Sequence, residues 1–221
     1  MASLIAGHGH DGGLSGVTGT APAARILSIR VIPDRADPHY GKYEREKEAV
    51  IQQSLANGIK YAVTHGAKVI SMSIGYSAPS NTVRAELQDA YDHGVVVIAS
   101  AGNSGVRDPT NHGRPAPESF PADYPGVISV SAVAASGTVA RFSSDNLSVK
   151  VAAPGVSVPA QGRDGQYWLV SGTSPACALV AGVAALIKSK YPREERRRDK
   201  IPEASRSANR MAAGRRAGSR T

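Results

Sequence analysis

Residues 170–186 read VSGTSPACALVAGVAAL, a short polar loop that runs into a stretch of small apolar residues. Small apolar residues at this density favour a helix packed tightly inside a protein. Ser174 stands where the loop meets the helix, and the positive end of a helix dipole stabilises negative charge there. That position suits a nucleophilic hydroxyl. The alternative is that Ser174 is the N-cap of a core helix, a role for which serine is also favoured.

The chain has 221 residues, of which 41% are hydrophobic and 5% aromatic, so we expect a core built from Ala, Val, Ile and Leu. This length fits one large domain, or a domain with a tail. Cys177 is the single cysteine, which excludes an internal disulfide. No apolar stretch reaches the roughly 18 residues of a membrane span, and we expect neither a membrane anchor nor a signal peptide in this chain.

Positive charge is concentrated at the C-terminal end. Residues 193–221 hold ten Lys or Arg and four Asp or Glu, and so carry +6 of the net charge of +8. We therefore divide the chain into a folded domain at 1–192 and a basic tail at 193–221, which we expect to be disordered or weakly helical. The tail has no interleaved aromatic residues, so nucleic-acid binding is not expected. A nucleic-acid or acidic-membrane arm is the alternative.

Apolar patterns typical of strands and helices alternate along the chain. The predicted strands are 24–31, 68–75, 95–100, 127–133 and 149–153, and the predicted helices are 1–7, 46–65, 82–93 and Ser174 to about Lys190, with a charged loop at 33–43. This alternation predicts an α/β fold with a mostly parallel sheet and helices on both faces. In such sheets the chemistry lies outside the carboxyl ends of the strands, which here are segments 71–75 and 101–105.

Two strand ends complete a candidate site with Ser174. Asn103 stands in a glycine-flanked loop, from which its amide can donate a hydrogen bond to an oxyanion. The alternative is an ordinary turn asparagine. Segment 73–75 ends a strand in glycine and leaves backbone groups free to pair with an extended peptide, unless it is an ordinary strand end. The occurrence of all three features in this order favours a catalytic interpretation.

These motifs resemble those of the subtilisin-like serine proteases, or subtilases, and most closely their actinobacterial mycosin-type branch, which is associated with type VII secretion. The matching segments are SMSIG at 71–75, SAGNSG at 100–105, FPA at 120–122, FSS at 142–144, APG at 153–155, SGTS at 171–174 and VAG at 180–182. The resemblance covers about residues 1–192. It implies a seven-stranded parallel sheet and cleavage of peptide bonds by acyl transfer, with a nucleophile, a base and an acid.

The resemblance also implies roles for individual residues. Ser174 would be the nucleophile and Asn103 the oxyanion donor. The residues expected to bind the substrate backbone are Ser73, Ile74 and Gly75, and those expected to line the pocket for the residue before the cleaved bond are Ala101 and Gly102. The expected partner is a peptide or protein substrate, the chain is expected to be a monomer, and its location secreted or in the cell envelope. Subtilases often bind calcium, but no metal site can be assigned from this sequence and no other cofactor is expected.

The chain departs from the family pattern in three places. The family order is Asp, His, Ser, and the positions that match the first two fall before Met1. We therefore expect an N-terminally truncated subtilase that is inactive or nearly so, because the serine lacks a base. Pro175 and Ala178 are exchanged in character relative to the family. The arginine-rich tail replaces the helix expected after Pro192, which indicates a disrupted reading frame or a gene fragment.

Other residues are weaker candidates for the base and the acid. His8 and His10 are the nearest histidines, although a surface-loop role is the alternative for both. The remaining histidines, expected in loops or at helix ends, are His39, His65, His93 and His112, and the aspartates that do not follow an apolar strand are Asp11, Asp34 and Asp37. No His, Cys and Asp spacing predicts zinc. The alternative functions are a non-catalytic peptide-binding pseudoprotease and a basic-tail interaction protein.

Overall fold

Parallel strands joined by helices make up the fold of the computed structural model, which describes residues 1–9, 16–38, 40–105, 112, 114–162 and 165–192. The helices are α1 (Ala2–Ala6), α2 (Tyr40–Arg45), α3 (Lys47–Thr64), α4 (Asn81–Asp92) and α5 (Thr173–Lys190). The strands are β1 (Val69–Met72), β2 (Val96–Ser100), β3 (Ile128–Val133), β4 (Val149–Pro154), β5 (Val158–Gln161) and β6 (Tyr167–Val170). The chain up to Ile187 is one compact unit, and a second unit begins at Lys188. The predicted tail at 193–221 lies outside the described residues.

The main sheet contains four strands in the order β1-β2-β3-β4, all parallel. Strands β5 and β6 form a separate antiparallel pair that the sequence analysis did not predict. The mostly parallel α/β fold is therefore confirmed. The seven strands implied by the family resemblance are not found in the described part of the chain, where the parallel sheet has four.

Side chains of β2 alternate between the two faces of the sheet, as the period of a strand requires. Val97 and Ala99 belong to a core cluster with α3 and α4, whereas Ile98 belongs to a second cluster with α5. The buried residues of α5 in that second cluster are Ala176, Cys177, Ala181 and Ala184. Helices thus cover both faces, as the continuous apolar run at 95–100 predicts.

Two predictions of local structure are wrong. The predicted strand at 24–31 is extended but belongs to no sheet, and the backbone of residues 25–32 makes no hydrogen bond to any described residue. It packs against α3 instead, because Ile29 and Val31 lie against Gly58. A strand needs a neighbouring strand with which its backbone N–H and C=O groups can pair. This segment has the apolar pattern of a strand but no partner strand among the described residues. The predicted loop at 33–43 also gives way to α2, which begins at Tyr40.

Candidate active site

Ser174 lies in the first turn of α5, which begins at Thr173. Its side chain is partly buried, and its Oγ forms no hydrogen bond with any residue that the structure describes. In particular it accepts no backbone N–H of α5, so the N-cap alternative is wrong. The hydroxyl is instead available for chemistry at a helix N-terminus, where backbone N–H groups lack helical acceptors.

Asn103 lies directly beside this helix start. Its Oδ1 accepts two hydrogen bonds from Thr173, one from the backbone N–H at 2.9 Å and one from Oγ1 at 3.0 Å. A backbone N–H can only donate, so Oδ1 must face Thr173 and the Nδ2 donor must face away from it. The structure therefore brings Asn103 to the residue that directly precedes Ser174.

Two glycines allow the loops around Asn103 to approach so closely. Gly172 has a φ of +148°, and a Cβ at that position would lie 3.4 Å from Asn103 Nδ2. Gly102 has a φ of +102°, and its N–H donates to Thr173 Oγ1 at 3.2 Å. Residues with a side chain rarely adopt these backbone conformations. Glycine is thus favoured at 102 and 172 by the backbone conformation of the two loops.

The end of β1 holds the other side of the helix start. Ser73 Oγ donates to the carbonyl oxygen of Ser174 at 3.4 Å. Cys177 Sγ lies 3.5 Å from Ser71 Oγ and 3.7 Å from the carbonyl oxygen of Met72. Burial raises the pKa of the Cys177 thiol, which these hydrogen bonds only partly offset. The fully buried thiol is therefore a neutral packing group and not a second nucleophile.

The predicted peptide-binding segment has free backbone groups. The N–H and C=O groups of Ser73, Ile74 and Gly75 make no hydrogen bond within the described residues. Ser73 and Gly75 are exposed, whereas Ile74 packs against the core cluster of α3 and α4. Exposed, unpaired groups at a strand end are what an extended peptide needs in order to add as a further strand.

A cavity of about 300 Å³ opens between this strand end and the Asn103 loop. Its lining includes Gly75, Ser77, Gly102, Ser104, Ser119 and Ser144, together with Tyr76, Pro117 and Glu118; we call it the Ser119 cavity. Gly75 and Gly102 both lie close to Ser119, because a Cβ on Gly75 would lie 3.0 Å from Ser119 Oγ and one on Gly102 3.4 Å. Ala101 does not line it: this residue is fully buried and its N–H donates to Val130.

A hydrogen-bond network around Asp123 positions Ser119, one of the residues that line the cavity. Asp123 accepts the backbone N–H of Ser119 at 2.8 Å, and also accepts from Asn146 and Ser148. Burial raises the pKa of Tyr76, and its hydrogen bond to Tyr124 and the nearby charges raise it further. The Tyr76 phenol, which pairs with Tyr124 and not with Asp123, thus stays neutral.

The histidines described by the structure lie in other surroundings. The Nδ1 of His8 pairs with the carbonyl oxygen of Ala6, that of His65 with Tyr61, and that of His93 with Asp89. None of these pairs, nor any contact of His112, includes Ser174. His10, His39 and Asp11 lie outside the described residues.

Sequence reasoning did not identify Thr173, Ser119 or Glu118. Thr173 directly precedes Ser174 in the SGTS motif, and this position is the one feature of the sequence that could have indicated it. That its hydroxyl orients the amide of Asn103 is visible only in the tertiary structure. Ser119 immediately precedes the FPA segment, and nothing local distinguishes it from a loop serine.

Two further findings concern metal-ligating side chains and membrane-spanning helices. Among residues 1–9, 16–38, 40–105, 112, 114–162 and 165–192, no three His, Cys, Asp or Glu side chains gather into a group that could hold a metal ion. No helix in the same ranges is long and apolar enough to cross a membrane.

The sequence of the chain is similar to a known protein family. The sequence profile of peptidase S8, the subtilase family, matches residues 1–217. Subtilisin E of Bacillus subtilis (strain 168) is 36% identical over 177 residues, which are 80% of this chain and 42% of that protein. Thermitase of Thermoactinomyces vulgaris is 34% identical over 175 residues, 79% of this chain and 55% of that protein. The chain thus spans about half the length of the curated relatives it matches.

Solved structures show the same likeness. The prenylagaramide maturation protease PagA superposes with a TM-score of 0.70 at 29% identity, covering 86% of this chain and 62% of that one. MycP1 with its N-terminal propeptide removed gives a TM-score of 0.70 at 27% identity, covering 87% of this chain and 65% of that one. Since the family profile matches far more than half of its residues, this chain belongs to the subtilase family.

Proposed function

We propose that this chain carries the nucleophile and oxyanion site of a serine endopeptidase. The observation that carries the proposal is the pair of hydrogen bonds from Thr173 to Asn103 Oδ1, which turns the amide donor of Asn103 away from Thr173. An amide donor fixed in this way before the reaction stabilises negative charge without reorganising.

In the proposed reaction, Ser174 Oγ attacks the carbonyl carbon of a peptide bond. The bond from Oγ to carbon forms, the hydroxyl proton passes to a base, and the carbonyl oxygen becomes an oxyanion. Asn103 Nδ2 and the backbone N–H of Ser174 donate to that oxyanion. The carbon–nitrogen bond then breaks as the amine takes a proton, and water releases the acyl group from Ser174.

We further propose that the chain by itself turns over peptides very slowly. No described histidine contacts Ser174, so its hydroxyl stays protonated and is a poor nucleophile. In a subtilisin, loss of the histidine lowers turnover roughly a millionfold, while oxyanion stabilisation and binding retain about 10³–10⁴ over the uncatalysed rate. A residual oxyanion site with an unactivated serine is the state we infer here.

Chemical rescue tests both parts of the proposal. The purified full chain is incubated with a fluorophosphonate probe at increasing imidazole concentration, because free imidazole can act as the base that no described histidine supplies. We expect slow labelling without imidazole, faster labelling with it, and a single modified peptide containing Ser174. Ser174→Ala serves as the control for the labelled site, and Ser28→Ala, at an exposed serine of the extended segment 25–32, as a control away from the site.

Each part of the proposal has its own contrary result. Fast labelling of Ser174 in the absence of imidazole would show that the chain is active as it stands. Labelling that persists in Ser174→Ala, or no labelling at any imidazole concentration, would contradict the assignment of the nucleophile.

Peptide binding without turnover is the second candidate function, and the free backbone groups of 73–75 favour it. Titration of a fluorescent peptide into Ser174→Ala measures it directly. Unchanged affinity in that variant, with no imidazole-dependent labelling of the parent chain, would favour a peptide-binding pseudoprotease over an endopeptidase.

The remaining expectations follow from the family. We infer a peptide or protein substrate, a monomer, and a secreted or cell-envelope location. Calcium stays an expectation from the resemblance, and because no described cluster of ligating side chains fits it, the reaction above has no step through a metal ion.

A further inference from the structure

We propose that the Ser119 cavity selects a cationic side chain, lysine or arginine, of the bound peptide, with Glu118 as the countercharge. This inference rests on the proposed function, since it assumes that a peptide lies along segment 73–75. It concerns which side chain enters the cavity, and not whether peptides bind.

The surface of the Ser119 cavity is more apolar than polar, and Glu118 is the one charged side chain among its described lining residues. Its hydroxyl groups are largely engaged already, because Ser77 Oγ donates to Glu48, Ser144 Oγ accepts the N–H of Ser104 and Tyr76 Oη donates to Tyr124. Ser119 Oγ makes no hydrogen bond to any described residue, although its backbone N–H is held by Asp123. A lysine or arginine side chain fits such a lining, because its methylene stem can cover the apolar walls while its charged head reaches the Glu118 carboxylate.

The charge around the cavity has one sign. Glu118 lies on the wall, and its carboxylate has no hydrogen bond or ion pair within the described residues. Glu48 accepts hydrogen bonds from Ser77, another lining residue, and Asp123 accepts the backbone N–H of Ser119. No described lysine or arginine lines the cavity. An anionic side chain would be repelled, whereas a cation would gain charge-assisted hydrogen bonds.

The cavity lies next to the proposed reaction site. Gly102, one of its walls, donates its N–H to Thr173, the residue before Ser174. Gly75, another lining residue, ends the segment whose backbone groups are free for a peptide. A side chain that enters the cavity therefore belongs to a residue close to the scissile bond.

The test compares ligands that differ only in charge. Fluorescent alanine-rich hexapeptides carry one arginine, citrulline, leucine or glutamate, placed at each position in turn, and their binding to the full chain is measured by fluorescence anisotropy. Citrulline keeps the shape of arginine without its charge. We expect arginine to bind roughly fivefold more tightly than citrulline at one position, the upper range for an exposed ion pair. Glutamate should bind most weakly there.

Two variants assign the preference to Glu118. Glu118→Gln should abolish the difference between arginine and citrulline, and Glu118→Lys should favour the glutamate peptide. Glu44→Gln removes an exposed carboxylate of α2 that does not line the cavity, and should leave the preference unchanged. Equal binding of arginine and citrulline, or a preference that survives in Glu118→Gln, would overturn the proposal while leaving peptide binding intact. If no peptide binds, the peptide cleft of the proposed function fails and this inference fails with it.

Discussion

Thr173 donates both its backbone N–H and its hydroxyl to Asn103 Oδ1, across 70 residues of chain. The same Thr173 hydroxyl oxygen accepts the N–H of Gly102. One side chain therefore fixes the loop after β2 and the start of α5 relative to each other. The roles proposed for Asn103 and Ser174 need that relationship, because the two residues belong to different elements.

Replacing Thr173 with valine should destabilise the protein without changing its shape. Valine keeps the branched side chain but leaves the Gly102 N–H without an acceptor, at a cost of about 1–3 kcal/mol. Chemical denaturation measures the change in the free energy of unfolding. Thr82→Val, at an exposed position of α4, is the matched control and should change stability by no more than about 0.5 kcal/mol. Equal losses in the two variants would argue against the role of the Thr173 hydroxyl.

Two substitutions of Asn103 separate orientation from chemistry. Asn103→Asp keeps an acceptor for Thr173 but removes the donor, so it should slow imidazole-assisted labelling of Ser174 roughly 10²- to 10³-fold at little cost in stability. Asn103→Leu removes both groups and should also lower the free energy of unfolding by about 1–3 kcal/mol. Labelling rates and denaturation curves are measured on the same preparations. Labelling by Asn103→Asp at the parent rate would show that the amide does not act on the oxyanion.

Gly102→Ala should lower the stability of the protein more than a glycine-to-alanine substitution at another position of positive φ. At Gly102 the new Cβ would lie 3.0 Å from the Oγ of the buried Ser144, at a φ of +102°. Gly137→Ala is the control, because Gly137 has a φ of +80° and open space around it. Backbone strain of about 1–3 kcal/mol is expected in both variants, and crowding adds to it only at Gly102. Thermal unfolding and peptide binding test this, and equal effects would contradict a sterically tight wall.

The stability of the fold should decrease at alkaline pH. Burial raises the pKa of the Cys177 thiol above its ordinary value of 9.0, so the unfolded chain loses this proton at lower pH than the folded chain does. The stabilisation is complete below pH 9.0 and is lost as the pH rises from there through the higher pKa of the folded state. Tyr76 acts in the same direction.

Cys177→Ala isolates the thiol contribution. Its free energy of unfolding should fall less steeply above pH 9 than that of the parent chain, measured by denaturation across pH 7–11. Identical pH profiles would show that the buried thiol makes no contribution. Slow reaction of the native thiol with an aromatic disulfide reagent, compared with the unfolded chain, gives a second measure of its burial.

Several helices and strands of this protein could be predicted from its sequence. The apolar run at 95–100 and the helical spacing at 46–65 and 82–93 predicted β2, α3 and α4, because side-chain periodicity is a local property of the chain. The nucleophile motif likewise predicted a helix that begins beside Ser174. The predicted strand at 24–31 was wrong, since pairing depends on a neighbour that a local pattern does not reveal.

The sequence by itself determined which residues can do chemistry: a serine at a helix start, an asparagine between glycines, and a strand that ends in glycine. Only the tertiary structure decided that Thr173 turns the Asn103 amide, that Ala101 is buried away from the cavity, and that Ser119 and Glu118 line it. The reason is physical: hydrogen bonds and cavity walls join residues that are distant in the chain, and their geometry is set by the packing of α5 against the sheet.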